Sequence, residues 1–310
     1  MDKKISVKRT VLFTVLAFSI TAFFIVVFNN VLSGNKYYPE TQKDGNPFNI
    51  FSGYAAMLGP ASAVFITRKI TKEGMSEHML IPGFEKNLKY YVMSFVTVLS
   101  LYLACALLLP VYSGCGYAAN EMAARLSTIV SGLWLQFALI LIYFGEEYGW
   151  RGYLFPKLEK LTGIVPAVFI TGIIWGVWHT PVLLLGQNFG RDLKYYPLSN
   201  IGLMCLMCIF ITPFLVYVSR KSNSVWPAAA GHFLFNNLQG VMMTMFLDIK
   251  EDEITETKSL AHQSLTVLFI FLAVLFAVYM ILLISDNKKN NSKTSGDKRN
   301  NSQLNTVVTR

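Results

Sequence analysis

Three short patterns of polar residues stand inside apolar stretches of this chain: Glu146-Glu147-x-x-x-Arg151, Trp175-x-x-x-His179 and His232-x-x-x-Asn236. Carboxylates, imidazoles and amides are the groups with which proteins take a proton from water and hold a developing oxyanion. Their surroundings make them costly, because an ionisable side chain near the centre of a membrane helix costs roughly 2.5–3.5 kcal/mol to insert and marks a functional interior. Glu147 and Arg151 are spaced i, i+4 with the acid first, so they meet on one helix face as a buried ion pair. Glu146, rotated about 100° from Glu147, has no local partner in this reading and is the candidate acid or base. His232 and Asn236 again share one helix face at i, i+4.

The elements that must position these groups are apolar and long. The chain has 310 residues, 53% hydrophobic and only 15% charged, with a mean hydropathy of +0.44. Eight apolar stretches, near 11–32, 48–67, 90–112, 128–155, 163–186, 199–219, 225–247 and 263–285, are each long enough to cross a hydrocarbon core about 30 Å thick. Backbone polar groups in lipid must be satisfied within the segment, so each stretch is expected to be a helix. The expected fold is an all-α polytopic membrane bundle of about eight transmembrane helices. It forms one domain over 1–285, followed by a disordered cytoplasmic tail over 286–310 that is rich in Asn, Ser, Lys and Thr. The first stretch, too long for a signal-peptide core and without a small-residue cleavage pattern, is expected to be a retained span.

Depth ties the three patterns together. Counting about 1.5 Å per residue from Pro156, Pro166 and Arg220 places Glu146, His179 and His232 roughly 15, 20 and 18 Å from one membrane face, so the three fit one layer. Gly172 and Gly176 form a small-xxx-small face through which the fifth span can approach a neighbour closely.

The net charge of +9 follows from 27 Lys and Arg against 18 Asp and Glu. With the N-terminus inside, 19 of the basic residues fall on inside segments and seven on outside loops, with Arg151 inside a span. That asymmetry predicts a multi-pass protein of the plasma membrane with both termini cytoplasmic. Basic residues beside anionic headgroups account for the high isoelectric point, and no nucleic-acid partner is expected. The four cysteines make no disulfide or zinc framework, and Cys105, Cys205, Cys208 and the Met242–Met245 cluster read as packing. Trp134, Trp150 and Trp226 read as packing or interfacial aromatics.

In this order, each on its own span, the three patterns resemble the motifs of the CPBP family of intramembrane endopeptidases. That family includes the CAAX-prenyl endopeptidase type and bacterial Abi proteins linked to bacteriocin processing or self-immunity. The resemblance covers about 128–247, with Trp175 standing where the second motif usually has Phe. It implies hydrolysis of a peptide bond in a membrane-associated, prenylated or leader-type peptide. Glu146 and His179 would activate the attacking water, His232 and Asn236 would hold the oxyanion, and Glu147 and Arg151 would be structural support. Glu146, His179 and His232 can also serve as zinc ligands with an open water position, so zinc and a metal-free site both stay open at this point. No His-Glu-x-x-His, Gly-x-Ser-x-Gly or intramembrane Asp pattern competes.

Two other classes fit the same residues. A proton-coupled transporter would use Glu146 and the histidines as a relay, although no repeat symmetry or paired broken helices are evident. A non-catalytic self-immunity or scaffold protein would use the same fold to bind a partner. Taken singly, Glu146, His179 and His232 also suit interhelical hydrogen bonds; it is their combination that points to chemistry. Substrate identity and oligomeric state are not encoded in these patterns.

Overall fold

The computed structural model describes residues 3–27, 47–74, 78–113, 139–246 and 254–308. Among them there is no strand, and the architecture is a polytopic helical membrane bundle. In chain order the helices are α1 Lys3–Val26, α2 Pro47–Ala56, α3 Gly59–Thr71, α4 Phe84–Ser113, α5 Ile140–Gly149, α6 Phe155–Thr162, α7 Ile164–Trp178, α8 Thr180–Leu184, α9 Leu198–Ser222, α10 Trp226–Phe246 and α11 Ile254–Val308. Five described segments are apolar and long enough to span: Lys3–Val26, Phe84–Tyr112, Ile164–Leu184, Leu198–Ser222 and Gln263–Lys289. Helix α10 has 21 residues but carries His232, Asn236 and Asn237 along it, which lowers its hydropathy. The start of the expected fourth span, 128–138, lies outside the described residues, as do Cys115 and Trp134.

Two expected spans are interrupted, and proline explains both. The stretch 48–67 is not one helix but α2 and α3, separated at Met57-Leu58. Pro60 has no N–H to offer the carbonyl four residues back. That carbonyl, of Ala56, instead accepts the Thr21 hydroxyl of α1 at 3.2 Å. The stretch 163–186 likewise breaks at His179, between α7 and α8. There Pro181 leaves the Val177 carbonyl free, and the Thr180 hydroxyl takes it at 2.6 Å. Between α5 and α6 the chain stays helical but widens into a π turn over Trp150–Leu154.

Helix α11 extends from Ile254 to Val308, past the end of the last expected span.

Helices α7 and α9 pack backbone against backbone through the small-residue face. A Cβ on Gly176 would lie 2.4 Å from the Cys205 Cα, and one on Gly172 would lie 2.6 Å from the Ile209 Cα. These contacts cannot be relieved by turning a side chain. Gly176→Val is therefore expected to force the helices apart at about 1–3 kcal/mol. It should lower the thermal unfolding midpoint in micelles; an unchanged midpoint would contradict this packing.

Charged groups gather at one end of the bundle. Glu73, just beyond α3, accepts from Lys157 of α6 and from the Tyr153 hydroxyl at 2.8 Å, and lies 3.6 Å from Arg9 of α1. Arg220 at the end of α9 pairs with Glu159 of α6 at 2.6 Å, and its neighbour Lys221 pairs with Asp286 of α11. Thus the five segments that the charge count assigns to one side do meet on one face.

Burial alone would raise the Glu73 pKa, but the hydrogen bonds from Lys157 and Tyr153, with the charges of Lys157 and Arg9, hold it below the ordinary value of 4.5. Lys157 is itself drawn below the usual lysine value by burial, against the pull of Glu73. The two shifts act at opposite ends of the pH scale, so the acid limb belongs to Glu73. A carboxylate with a depressed folded pKa stabilises the fold above its unfolded value, and that contribution is lost as pH falls through the folded value. Glu73→Gln is accordingly expected to flatten the loss of stability below about pH 4.5, read as melting temperature against pH. Identical acid limbs in both proteins would refute the assignment.

Candidate active site

Helix α5 and the π turn at its end supply the carboxylates and the guanidinium. Glu146, Glu147 and Arg151 are each at most 1% exposed. The expected i, i+4 pair forms, with Arg151 Nη1 2.9 Å from Glu147 Oε1. Glu147 does more than support Arg151: the same Oε1 lies 2.9 Å from Nδ1 of His232 on α10. A carboxylate paired with arginine is ionised and can only accept, so His232 carries its proton on Nδ1 and turns Nε2 toward Asn236. The Asn236 amide nitrogen is 3.3 Å from that Nε2.

Glu146 corrects the sequence reading. Far from lacking a local partner, it accepts the Trp150 indole N–H on Oε1 at 3.2 Å and the Trp175 indole N–H on the same oxygen. Trp150 stands i+4 from Glu146, a spacing that the sequence displays although composition alone makes this tryptophan a packing residue. Trp175 comes from α7, and its meeting with Glu146 follows from tertiary packing alone.

His179 occupies the break between α7 and α8, where its ring can turn back along α7. Its Nδ1 lies 2.8 Å from the Trp175 carbonyl oxygen. A carbonyl only accepts, so Nδ1 bears the proton and the neutral ring keeps its lone pair on Nε2. Trp175 stands at the centre of the group. Its ring lies 4.0 Å beneath the Arg151 guanidinium carbon and meets the His232 ring edge-on at 5.3 Å.

His179, His232 and Asn236 open onto one cavity of about 150 Å³. Trp175, Met204, Met207, Cys208, Ile211 and Phe235 give it an apolar wall, and Asn188 and Phe189 reach it from the loop between α8 and α9. Sequence patterns give no sign of these two loop residues, since nothing in a loop's composition reveals which cavity it borders. The structure thus brings His179, His232 and Asn236 to a common space as expected. It sets Glu146 one hydrogen bond away, joined to the cavity through Trp175. The volume suits a benzene-sized group or a few waters.

The donor set does not fit a zinc site. Both histidines do have the arrangement of metal-bound imidazoles, one Nδ1–H on a carbonyl and one on a carboxylate. Yet among the described residues no three His, Cys, Asp or Glu side chains converge to hold an ion. The third ligand expected, Glu146, does not line the cavity that the two imidazoles share and sits behind Trp175.

Comparison with known proteins matches the segment that carries this site. Residues 128–238 fit the family model described as Type II CAAX prenyl endopeptidase Rce1-like. The chain is also 32% identical over 104 residues to a protein of Methanococcus maripaludis named CAAX prenyl protease 2. That alignment covers 32% of this chain and 37% of the relative, so the chain spans well under half of the relative it matches. The resemblance read from the three patterns is therefore supported over the part of the chain that contains them.

Proposed function

We propose, from the match of residues 128–238 to the type II CAAX prenyl endopeptidase model, that this chain is an intramembrane endopeptidase. Its substrate is a membrane-associated peptide, of prenylated or leader type, hydrolysed by an activated water. The observation that supports this most is the meeting of two oriented imidazoles and an amide on one cavity, backed by two carboxylates.

In this reading the water enters from the cavity past Trp175 and sits between His179 Nε2 and Glu146, which takes its proton through Oε2, the oxygen that carries no indole. His232, held by Glu147 through Nδ1, accepts an Asn236 amide N–H on Nε2 and so orients that amide. The second N–H of Asn236 stabilises the oxygen that becomes negative as water adds to the carbonyl, the kind of contact that is stronger in the transition state than in the ground state. The apolar wall of Met204, Met207 and Phe235 takes a nonpolar side chain next to the scissile bond. No step passes through a metal. The basic ends gathered on one face support placing that face, with both termini, at the anionic cytoplasmic leaflet of the plasma membrane.

The test is cleavage of a panel of prenylated and leader-type peptides by the purified protein, with and without a zinc chelator. Wild type is expected to cleave, to do so equally with chelator, and to lose cleavage in Glu146→Gln. Failure to cleave any peptide in either state, with the protein well folded, would overturn the reading.

A further inference from the structure

Trp175 touches Glu146, Arg151, His179 and His232, but most of these contacts do not need tryptophan. Its carbonyl would orient His179 whatever the side chain. Its ring face under Arg151 and its edge against His232 would be supplied equally by phenylalanine. Only the indole N–H, donated to Glu146 Oε1, is particular to the residue this chain carries. The carboxylate it meets is 1% exposed and has a second indole, that of Trp150, on the same oxygen at 3.2 Å.

Two donors on one oxygen remove the freedom of a carboxylate to rotate about its last bond and to exchange its oxygens. Each hydrogen bond to a charged acceptor is among the stronger kinds. We propose that Trp175 is a positioning residue whose indole N–H, with that of Trp150, pins Glu146 by Oε1 and so assigns proton transfer to Oε2. The inference rests on the hydrolytic reading above. In the step it serves, a water O–H bond breaks, the proton goes to Oε2 and the water oxygen bonds to the peptide carbonyl carbon. The proton later passes to the departing nitrogen, and Glu146 is regenerated.

The experiment has two arms on the full chain in micelles. In the first, the protein is labelled with ¹⁵N in its indoles, and the five tryptophan N–H cross-peaks are compared between wild type and Glu146→Gln. The Trp175 cross-peak is assigned by its loss in Trp175→Phe. If that variant does not fold, the assignment is by elimination with phenylalanine at each of the other four positions. The Trp175 cross-peak is expected downfield in wild type and shifted upfield when its acceptor becomes neutral.

In the second arm, Trp175→Phe keeps the aromatic contacts and loses the donor. Its kcat is expected to fall by about 10- to 100-fold, the worth of one hydrogen bond to a charged group, with KM unchanged. A Trp175 cross-peak that does not move in Glu146→Gln overturns the proposal. So does a Trp175→Phe kcat equal to wild type, and so does a higher one, which would mean that the indole screens Glu146 from the cavity. If wild type cleaves nothing, the hydrolytic reading falls, while the cross-peak still decides whether the indole holds the carboxylate.

Discussion

In Glu146→Gln, peptide cleavage is expected to fall by about 10²- to 10⁴-fold, the range that a positioned general base contributes. Melting temperature and detergent behaviour should stay those of wild type. Glutamine is the informative replacement because its Oε1 can still accept the Trp150 and Trp175 indoles that meet Glu146. Alanine would instead strand two buried N–H groups, each costing about 1–3 kcal/mol, and confuse chemistry with folding. Measured against peptide concentration, the loss should appear in kcat, because the group acts in proton transfer rather than in holding the substrate. Full activity in a folded Glu146→Gln protein would remove Glu146 from the reaction.

Glu147→Ala is expected to act on the fold itself. The Arg151 side chain is wholly buried, and Glu147 is its ion-pair partner. Removing one member of a buried pair leaves an uncompensated charge and costs about 3–5 kcal/mol, a large part of the 5–15 kcal/mol that typically separates folded from unfolded chains. The variant should express poorly or melt many degrees lower. Combining it with Arg151→Leu removes the orphaned charge and should recover much of that stability. Activity should not return with it, because His232 would still lack the carboxylate that fixes its Nδ1 proton. Stability and cleavage rising together in the double variant would show that Glu147 serves Arg151 alone.

The sequence makes this site legible where spacing within one helix is enough. Glu147 and Arg151, and His232 and Asn236, are i, i+4 pairs, and both contacts form. Trp150, also i+4 from Glu146, is equally readable in principle, but aromatics in membrane spans usually pack or sit at interfaces, and that expectation hides the contact. The contacts that decide how the site works join distant segments. Glu147 meets His232 across 85 residues, and Trp175 meets Glu146 across 29. Helix periodicity carries no information about which face of one span turns toward which face of another.

The same limit applies to the fold. Composition and span length are enough to show that the chain is an apolar helical bundle. The breaks at Pro60 and Pro181 are signalled by residues in plain view, but a hydropathy window averages over single prolines. The π turn has no such signal, since its residues, Trp150 to Leu154, are ordinary helix formers apart from Gly152.

That π turn sets the phase of the whole run from Ile140 to Thr162. A π turn holds one residue more than an α turn, so the residues beyond it are rotated by about 100°, the share of one residue, from where an unbroken α-helix would carry them. Upstream of it, Glu146 and Glu147 face Trp175 and His232; downstream, Lys157 faces Glu73 at the charged end of the bundle. Both alignments hold only with the extra residue in place. Loss of any single residue between 150 and 154 would return the run to α phase and oblige one end to turn away from its partners. The run works as a key cut at both ends, in which a one-residue change of length disengages either the carboxylates or the ionic fastening whatever the identity of the residue removed.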